Sequence, residues 1–250
     1  MVSNLINANP DTFAVVEYHV SDGYATQWGN QRATFYGGIA DGVPWFAYDG
    51  LWDAWPINTY ASKLAQRAAV STPVTMEVTC NKLSGNTHRI TLHVCLEAGA
   101  AATTMRLYAV VAEDHYPASP TYCRNTFRAA TAVLDITLQP GECYTDVREI
   151  DMDPTWDPEN LRIIAWAQTP ATQYPALVFQ ACQTSGPFQQ ALFGDLDGDC
   201  DVDIADLAEL LSNYGTTSGA VYEDGDLDED GDVDLADLAA LLAQYGKTCI

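Results

Sequence analysis

The chain has 250 residues, 48% of them apolar, enough to bury a sizeable core and to hold more than one folding unit. Its formal charge of −23 argues against nucleic acid as a partner, because that partner requires a basic face. No apolar run approaches the ~18 residues of a membrane span, and Met1 to Ile6 lack the basic start and long apolar stretch of a signal peptide.

In chain order, residues 13–20 (Phe-Ala-Val-Val-Glu-Tyr-His-Val) are β-branched and aromatic and predict a buried strand. Residues 27–36 read as a helix, and residues 43–49 as a second strand closed by the Asp49-Gly50 turn. Residues 57–70 read as a helix with Leu64, Ala65, Ala68 and Ala69 inward. This alternation predicts an α/β unit over residues 1–72. The aromatic stretch Trp45, Phe46, Tyr48, Trp52, Trp55 and Tyr60 is assigned to its core rather than to sugar stacking.

From Thr75 the texture changes. Short runs at 74–80, 89–95, 105–111, 132–138, 145–152, 161–168 and 176–181 predict seven strands of an antiparallel β-sandwich over residues 73–182. Residues 183–194 read as a linker. The fold class expected is a multidomain α+β protein: a partial α/β unit, a sandwich and a small helical module over residues 195–250.

Seven cysteines (80, 95, 123, 143, 182, 200 and 249) suggest an oxidising compartment, and their odd number leaves at least one without a partner in the chain. No nucleophile elbow, phosphate loop or dinucleotide fingerprint is present. The histidines at 19, 88, 93 and 115 show no metal spacing with cysteine and read as strand or turn residues. Glu113-Asp114-His115 are consecutive and so do not converge on one point. No catalytic or organic-cofactor residue is assigned.

Sixteen of the 34 acidic residues lie in 195–249, beside a single base, Lys247. That segment is one pattern written twice at an offset of 31 residues; from Asp195 to Gly215 and from Asp226 to Gly246, 15 of 21 positions are identical. Each copy places carboxylates at positions 1, 3, 5, 7, 9 and 12 of a twelve-residue loop: Asp195, Asp197, Asp199, Asp201, Asp203 and Asp206, then Asp226, Asp228, Asp230, Asp232, Asp234 and Asp237. A hard divalent cation takes 6–8 oxygens from a chain that curls round it, and this is the calcium-loop spacing. Two bound Ca2+ ions are expected, with Val202 and Val233 at the apolar eighth position. Leu207, Leu210, Leu211 and Tyr214, and likewise Leu238, Leu241, Leu242 and Tyr245, predict a helix with one apolar face after each loop. Gly215 and Gly246 stop these helices.

Two loop-plus-helix units in tandem resemble the type I dockerin module, over about residues 193–249. The resemblance implies two antiparallel calcium-loaded helices and a cohesin-like docking partner that anchors an extracellular protein. The chain departs from that family at loop positions 10–11, where Ile204-Ala205 and Leu235-Ala236 replace a polar pair. Leu211-Ser212 and Leu242-Ala243 likewise stand where a basic pair is common. Any docking surface is therefore more apolar than the family's. The antiparallel helices would also return the chain end to the first loop, which implies a Cys200–Cys249 disulfide, with Cys200 at the sixth position in place of glycine. Closing a loop of that length stabilises by about 4 kcal/mol in the chain-entropy picture.

The order Ala-Asn-Pro, Val15-Val-Glu-Tyr-His-Val20, Arg32…Tyr36-Gly37, Gly42-Val43-Pro44, Asp49-Gly50 is similar to that of a bacterial family of outer-membrane-associated proteins. So are Ala109-Val-Val-Ala-Glu113 and Tyr122-Cys-Arg-Asn125-Thr-Phe-Arg128. The resemblance covers about residues 4–185. It implies a thioredoxin-like domain followed by a β-sandwich, with a cis-proline corner at Val43-Pro44. The Cys-x-x-Cys of thioredoxin chemistry is missing, as is the first strand; either the true start lies upstream of Met1, which is the preferred expectation, or the domain is a truncated structural remnant. Three readings of function follow. The first is a non-catalytic extracellular or cell-surface protein, assembled through its calcium module. The second is a dockerin-borne component of polysaccharide catabolism, binding or hydrolysing polysaccharide. The third is a thiol-disulfide oxidoreductase whose active-site segment is absent.

Overall fold

The computed structural model describes residues 2–9, 13–20, 22–37, 46–53, 59–116, 123–228 and 230–248. They form a mixed α+β chain with mostly antiparallel sheets and few helices. Contacts divide it into two units, residues 1–80 with 89–187, and residues 81–88 with 188–250.

The first unit begins with helix α1 (Val2–Ala8) and the extended segment 13–20. The apolar residues of this segment pack on both of its sides. Phe13 and Val15 pack with Ile6, Leu5, Phe46 and Leu64, while Ala14, Val16 and Tyr18 pack against a sheet. It pairs as a strand only at Glu17, whose N–H donates to Asn125 O (3.0 Å) and whose carbonyl accepts from Phe127 N (2.9 Å). Helix α2 (Gln27–Phe35) starts where Thr26 accepts the Gly29 N–H at 3.0 Å, satisfying one of the donors a helix start leaves open. Strands β1 (Ala47–Tyr48) and β2 (Trp52–Asp53) form a hairpin, and helix α3 (Tyr60–Ala68) follows. Phe46, Tyr48 and Tyr60 stack in the core as expected. Trp45, Trp55 and the Gly42-Val43-Pro44 corner lie outside the described residues.

The hairpin turn shows why glycine stands at position 50. Its φ is +64°, and a Cβ there would lie 1.8 Å from Ala176 O. The turn docks backbone to backbone, Ala176 N on Gly50 O (2.7 Å) and Val178 N on Asp49 O (2.8 Å).

Eight strands follow, one more than the seven expected: β3 (Val74–Lys82), β4 (Thr87–Leu96), β5 (Thr103–Glu113), β6 (Thr126–Ala130), β7 (Leu134–Leu138), β8 (Cys143–Asp151), β9 (Leu161–Gln168) and β10 (Val178–Ser185). One sheet is ordered β3-β4-β8, and Cys95–Cys143 bridges β4 and β8. The other is β10-β9-β5, with β7 pairing the first half of β5 and β6 the second, across a register shift between Val111 and Ala112. The added strand is β6. Strand β10 runs to Ser185, so the first residues read as linker continue the sheet.

Strand β3 alternates, with Val74, Met76, Val78 and Cys80 buried, as expected for one wet face. Strands β5 and β9 lose this alternation. Tyr108, Val110, Ala112, Ile164 and Trp166 are buried under Val16, Tyr18 and Trp28, and the alternate residues Leu107, Ala109, Val111, Ile163 and Ala165 are buried too. The N-terminal segment thus serves as a third layer.

Buried ions in this unit have complements. Asp114 accepts from Arg124 Nε (2.6 Å) and Nη2 (2.9 Å), and Glu113 lies 3.3 Å from Arg128. These contacts make Glu113-Asp114-His115 a structural corner. Arg32 donates to Tyr108 OH (3.2 Å), Tyr36 OH (2.6 Å) and Gln168 Oε1 (3.0 Å), with its guanidinium over the Phe35 and Tyr108 rings at 4.6 Å.

In the second unit, the β3–β4 hairpin end holds residues 189–191, through Lys82 N to Gln189 O (2.7 Å) and Ala191 N to Lys82 O (2.8 Å). Helices α4 (Ile204–Asn213) and α5 (Leu235–Leu242) follow the two acidic loops. Val202, Leu210, Leu227, Val233 and Leu241 form their shared core. Each repeat closes on the other. Val202 bonds the chain after α5 (Gly246 N to Val202 O, 2.7 Å; Val202 N to Lys247 O, 2.9 Å), and Val233 bonds the chain after α4 (Gly215 N to Val233 O, 2.8 Å; Val233 N to Thr216 O, 2.9 Å). Gly215 (φ +92°) and Gly246 (φ +83°) make the turns that allow this.

The helix faces depart from expectation. Leu210 and Leu241 are fully buried and Leu207 and Leu238 partly so, whereas Leu211, Tyr214, Leu242 and Tyr245 are about half exposed. Asp206 and Leu210, and equally Asp237 and Leu241, point inward at i, i+4. The helices are therefore turned by their loop carboxylates, and Leu211 and Leu242 are carried outward.

Candidate metal centre

The sequence expects loop carboxylates at fixed spacing, and the helix caps show how the loops curl. Asp203 and Asp234 are N-caps, accepting from Ala205 N and Ala236 N at 2.6 Å. Asp206 and Asp237 return the bond in a capping box, accepting from Asp203 N (2.7 Å) and Asp234 N (2.8 Å). The other oxygen of each reaches back to the loop start, at Leu196 N (2.6 Å) and Leu227 N (2.7 Å). Both carboxylates are wholly buried.

At the first loop position, Asp195 accepts from Gly198 N (2.7 Å) and Cys200 N (3.2 Å), and Asp226 from Asp230 N (3.1 Å) and Gly231 N (2.9 Å). Asp197, Asp199 and Asp230 each accept the N–H two residues on, at 3.1–3.2 Å. Carboxylate oxygens converge within 4.8 Å in the groups Asp195/Asp197/Asp199, Asp201/Asp203/Asp206 and Asp226/Asp228/Asp237.

These carboxylates carry like charges, and among the described residues no Lys or Arg is paired with them. Burial, then the charges of Asp199, Asp206 and Asp195, pushes Asp197 up to about 6, against the amide bond from Asp199. Burial likewise raises Asp195. Asp201 Oδ1 and Asp232 Oδ1 are buried without a hydrogen-bond partner among the described residues. Orphaned carboxylate oxygens beside clustered carboxylates fit a hard divalent ion. In such a site Asp195, Asp197, Asp199 and Asp206, and their counterparts Asp226, Asp228, Asp230 and Asp237, would be the side-chain donors. Asp203 and Asp234 are occupied chiefly in capping.

Cys200 has φ +75°, and its counterpart Gly231 φ +93°. The sixth position thus needs the left-handed conformation in both loops, and in the first a cysteine adopts it. Cys200 is disulfide-bonded; its expected partner, Cys249, lies outside the described residues. Asp201 and Thr248 form a β-bridge, so the chain returns to this loop.

Two groupings were not legible beforehand. His93 Nε2 lies 3.2 Å from Cys95 Sγ, but that sulfur is held in the disulfide. His19, read only as a strand residue, stands with Glu17 and Cys123, their donor atoms within 4.8 Å of one another. The alternation Glu17-x-His19 on an extended segment is the one local hint, since i and i+2 share a face.

No family model matches the chain, and no curated protein matches it. Among solved structures, HBP35 of Porphyromonas gingivalis is similar with a TM-score of 0.57 at 14% identity, over 71% of this chain and 66% of that one. The chain thus spans slightly under two thirds of that relative, and the likeness shows a shared fold. It is consistent with the resemblance read over residues 4–185. A domain of the outer membrane lipoprotein Omp28 from the same organism (TM-score 0.35, 12% identity, 58% of this chain and all of that one) matches too weakly to carry an argument. The same holds for a β-glucosidase from Kluyveromyces marxianus (0.30, 10%, 46% and 14%). Among the described residues no helix is long and apolar enough to cross a membrane.

Proposed function

We propose that this is a non-catalytic extracellular or cell-surface protein whose C-terminal dockerin-like module binds two Ca2+ ions and docks onto a cohesin-like partner. The N-terminal unit, a partial thioredoxin-like layer on a β-sandwich, is the part so anchored. The observation that carries this reading is the duplicated loop, in which carboxylate oxygens converge within 4.8 Å in each copy, at Asp195, Asp197 and Asp199 and at Asp226, Asp228 and Asp237. An ion would supply the positive charge that these carboxylates lack and so couple binding to folding.

The docking part of the reading is supported by the exposed apolar residues. Ile204 and Leu235 are 63% and 66% exposed, and Leu211, Tyr214, Leu242 and Tyr245 stand out in matching positions of the two repeats. Large apolar side chains repeated on the outside of a small module suit a protein interface. They also suit a partner more apolar than the family's usual one.

Calcium titration calorimetry on the intact protein tests the first half, with two ions per chain expected and none overturning it. Binding to an immobilised cohesin domain, with calcium and with chelator, tests the second. Calcium-dependent capture lost in Leu211→Ser/Leu242→Ser is the expected result. Equal capture in chelator, or none under either condition, would remove docking from the reading.

A further inference from the structure

The N-terminal unit holds a second metal-type cluster, chemically unlike the acidic loops. Glu17 and His19 sit two residues apart on the extended segment that pairs with residues 125–127, which places both on one face of it. Cys123 lies just ahead of β6, the strand against which that segment is bonded. The Glu17 carboxylate accepts from Arg124 N at 3.1 Å.

The orientation of His19 is the deciding detail. Its Nδ1 lies 2.6 Å from Asp22 Oδ2, a bond that places the ring proton on Nδ1 and the lone pair on Nε2. Nε2 is buried and has no hydrogen-bond partner among the described residues. The ring is held from the side by Tyr24, edge-on with centroids 5.5 Å apart. A carboxylate behind a histidine whose other nitrogen is buried and unmatched is the second-layer arrangement of a metal ligand.

We infer that Glu17 Oε, His19 Nε2 and Cys123 Sγ form a site for a zinc-type divalent ion, with Asp22 as the residue that positions the imidazole. Tetrahedral zinc, with bonds of about 2.0–2.3 Å, sets its donors about 3.3–3.8 Å apart. The three donor atoms already stand within 4.8 Å of one another, so contraction of ~1 Å seats the ion. Imidazole and sulfur select against calcium and magnesium, which take oxygen donors. Three protein donors leave a fourth position to water. The site is independent of the calcium reading, since no loop carboxylate takes part in it.

The experiment uses untagged protein with its disulfides intact and its calcium loops saturated, and cobalt(II) and zinc(II) as probes. One zinc per chain is expected, and cobalt should show thiolate charge-transfer absorption together with tetrahedral d–d bands. Calcium-loop carboxylates give neither signature. His19→Ala and Cys123→Ser should each weaken zinc binding at least ~100-fold, and Cys182→Ser should leave it unchanged. Asp22→Asn should weaken it by about 10–100-fold and shift the d–d bands, a change that loss of packing alone would not produce. Absence of the thiolate band in the unaltered protein overturns the proposal, and so does its survival in Cys123→Ser. If a variant fails to fold, as its melting without metal would show, the cobalt spectrum of the unaltered protein decides alone.

Discussion

The two units treat buried charge in opposite ways. In the N-terminal unit, Asp114 and Glu113 meet Arg124 and Arg128, and Arg32 is enclosed by phenols, an amide and aromatic faces. In the C-terminal unit, Asp195, Asp206, Asp226 and Asp237 are buried among other carboxylates and backbone amides. The first arrangement pairs its buried carboxylates with arginines. The second places like charges close together in a poorly solvated setting, where their repulsion is strong. The comparison teaches that one unit pairs its buried carboxylates with its own arginines, whereas the other gathers carboxylates with no such partner among the described residues.

Removing divalent ions should produce the largest effect. Excess chelator should abolish the helical circular-dichroism signal of α4 and α5 while leaving the sheet signal, and calcium should restore it; helices that persist in chelator would break the comparison. Next comes the converse experiment in the first unit. Arg124→Met leaves the buried Asp114 with only the more distant Arg162, 3.6 Å away, and should cost about 3 kcal/mol in denaturant unfolding, with calcium making no difference to that loss.

The pH responses of the two units should also diverge. Burial pushes Asp114 up, but the Arg124 bonds and charge outweigh it and hold the carboxyl below the usual carboxylate range. A lowered folded pKa gives stability that is present above about pH 4, the unfolded value, and lost as pH falls through the lower folded one. Asp197 is raised to about 6, so its effect has the other sign. The ion-free second unit is favoured below about pH 4 and loses that contribution as pH rises through about 6. Acid titration in chelator should therefore strengthen residual structure in the second unit between pH 7 and 5 and leave the first unchanged. The smallest effect belongs to the exposed residues. Leu211→Ser or Leu242→Ser should change stability by no more than ~0.5 kcal/mol while removing docking.

Legibility from sequence followed the range of the forces involved. Each calcium-type loop is twelve consecutive residues, so its spacing, its valine and its helix stop are all local and were readable. Strands such as β3 alternate, and β5 and β9 are continuous apolar runs, so their existence was readable too. Strand β6 was missed because Thr126–Ala130 is short and its pairing is interrupted by a bulge at Arg128. The outward turn of Leu211 and Leu242 was missed because helix periodicity finds an apolar face without fixing its direction. That direction is set by Asp206 and Asp237, which are polar residues wholly buried by their bonds to the loop start. The Glu17, His19 and Cys123 cluster depends on pairing between distant segments, which no spacing rule records.

The reciprocal closure of the repeats has a consequence for chain order. Gly194, at the start of the C-terminal module, lies against α5, with Leu241 Cα 3.7 Å from where its Cβ would be, and Lys247 is bonded to Val202 in the first loop. The two ends of the module are therefore neighbours, and each repeat is completed by the other rather than by what precedes it. A circular permutant that opens the chain at the exposed residues 217–219 and joins 248 to 194 through a short glycine linker should keep the bonds that close both loops. The order in which the two loops are synthesised would then be immaterial to the folded module.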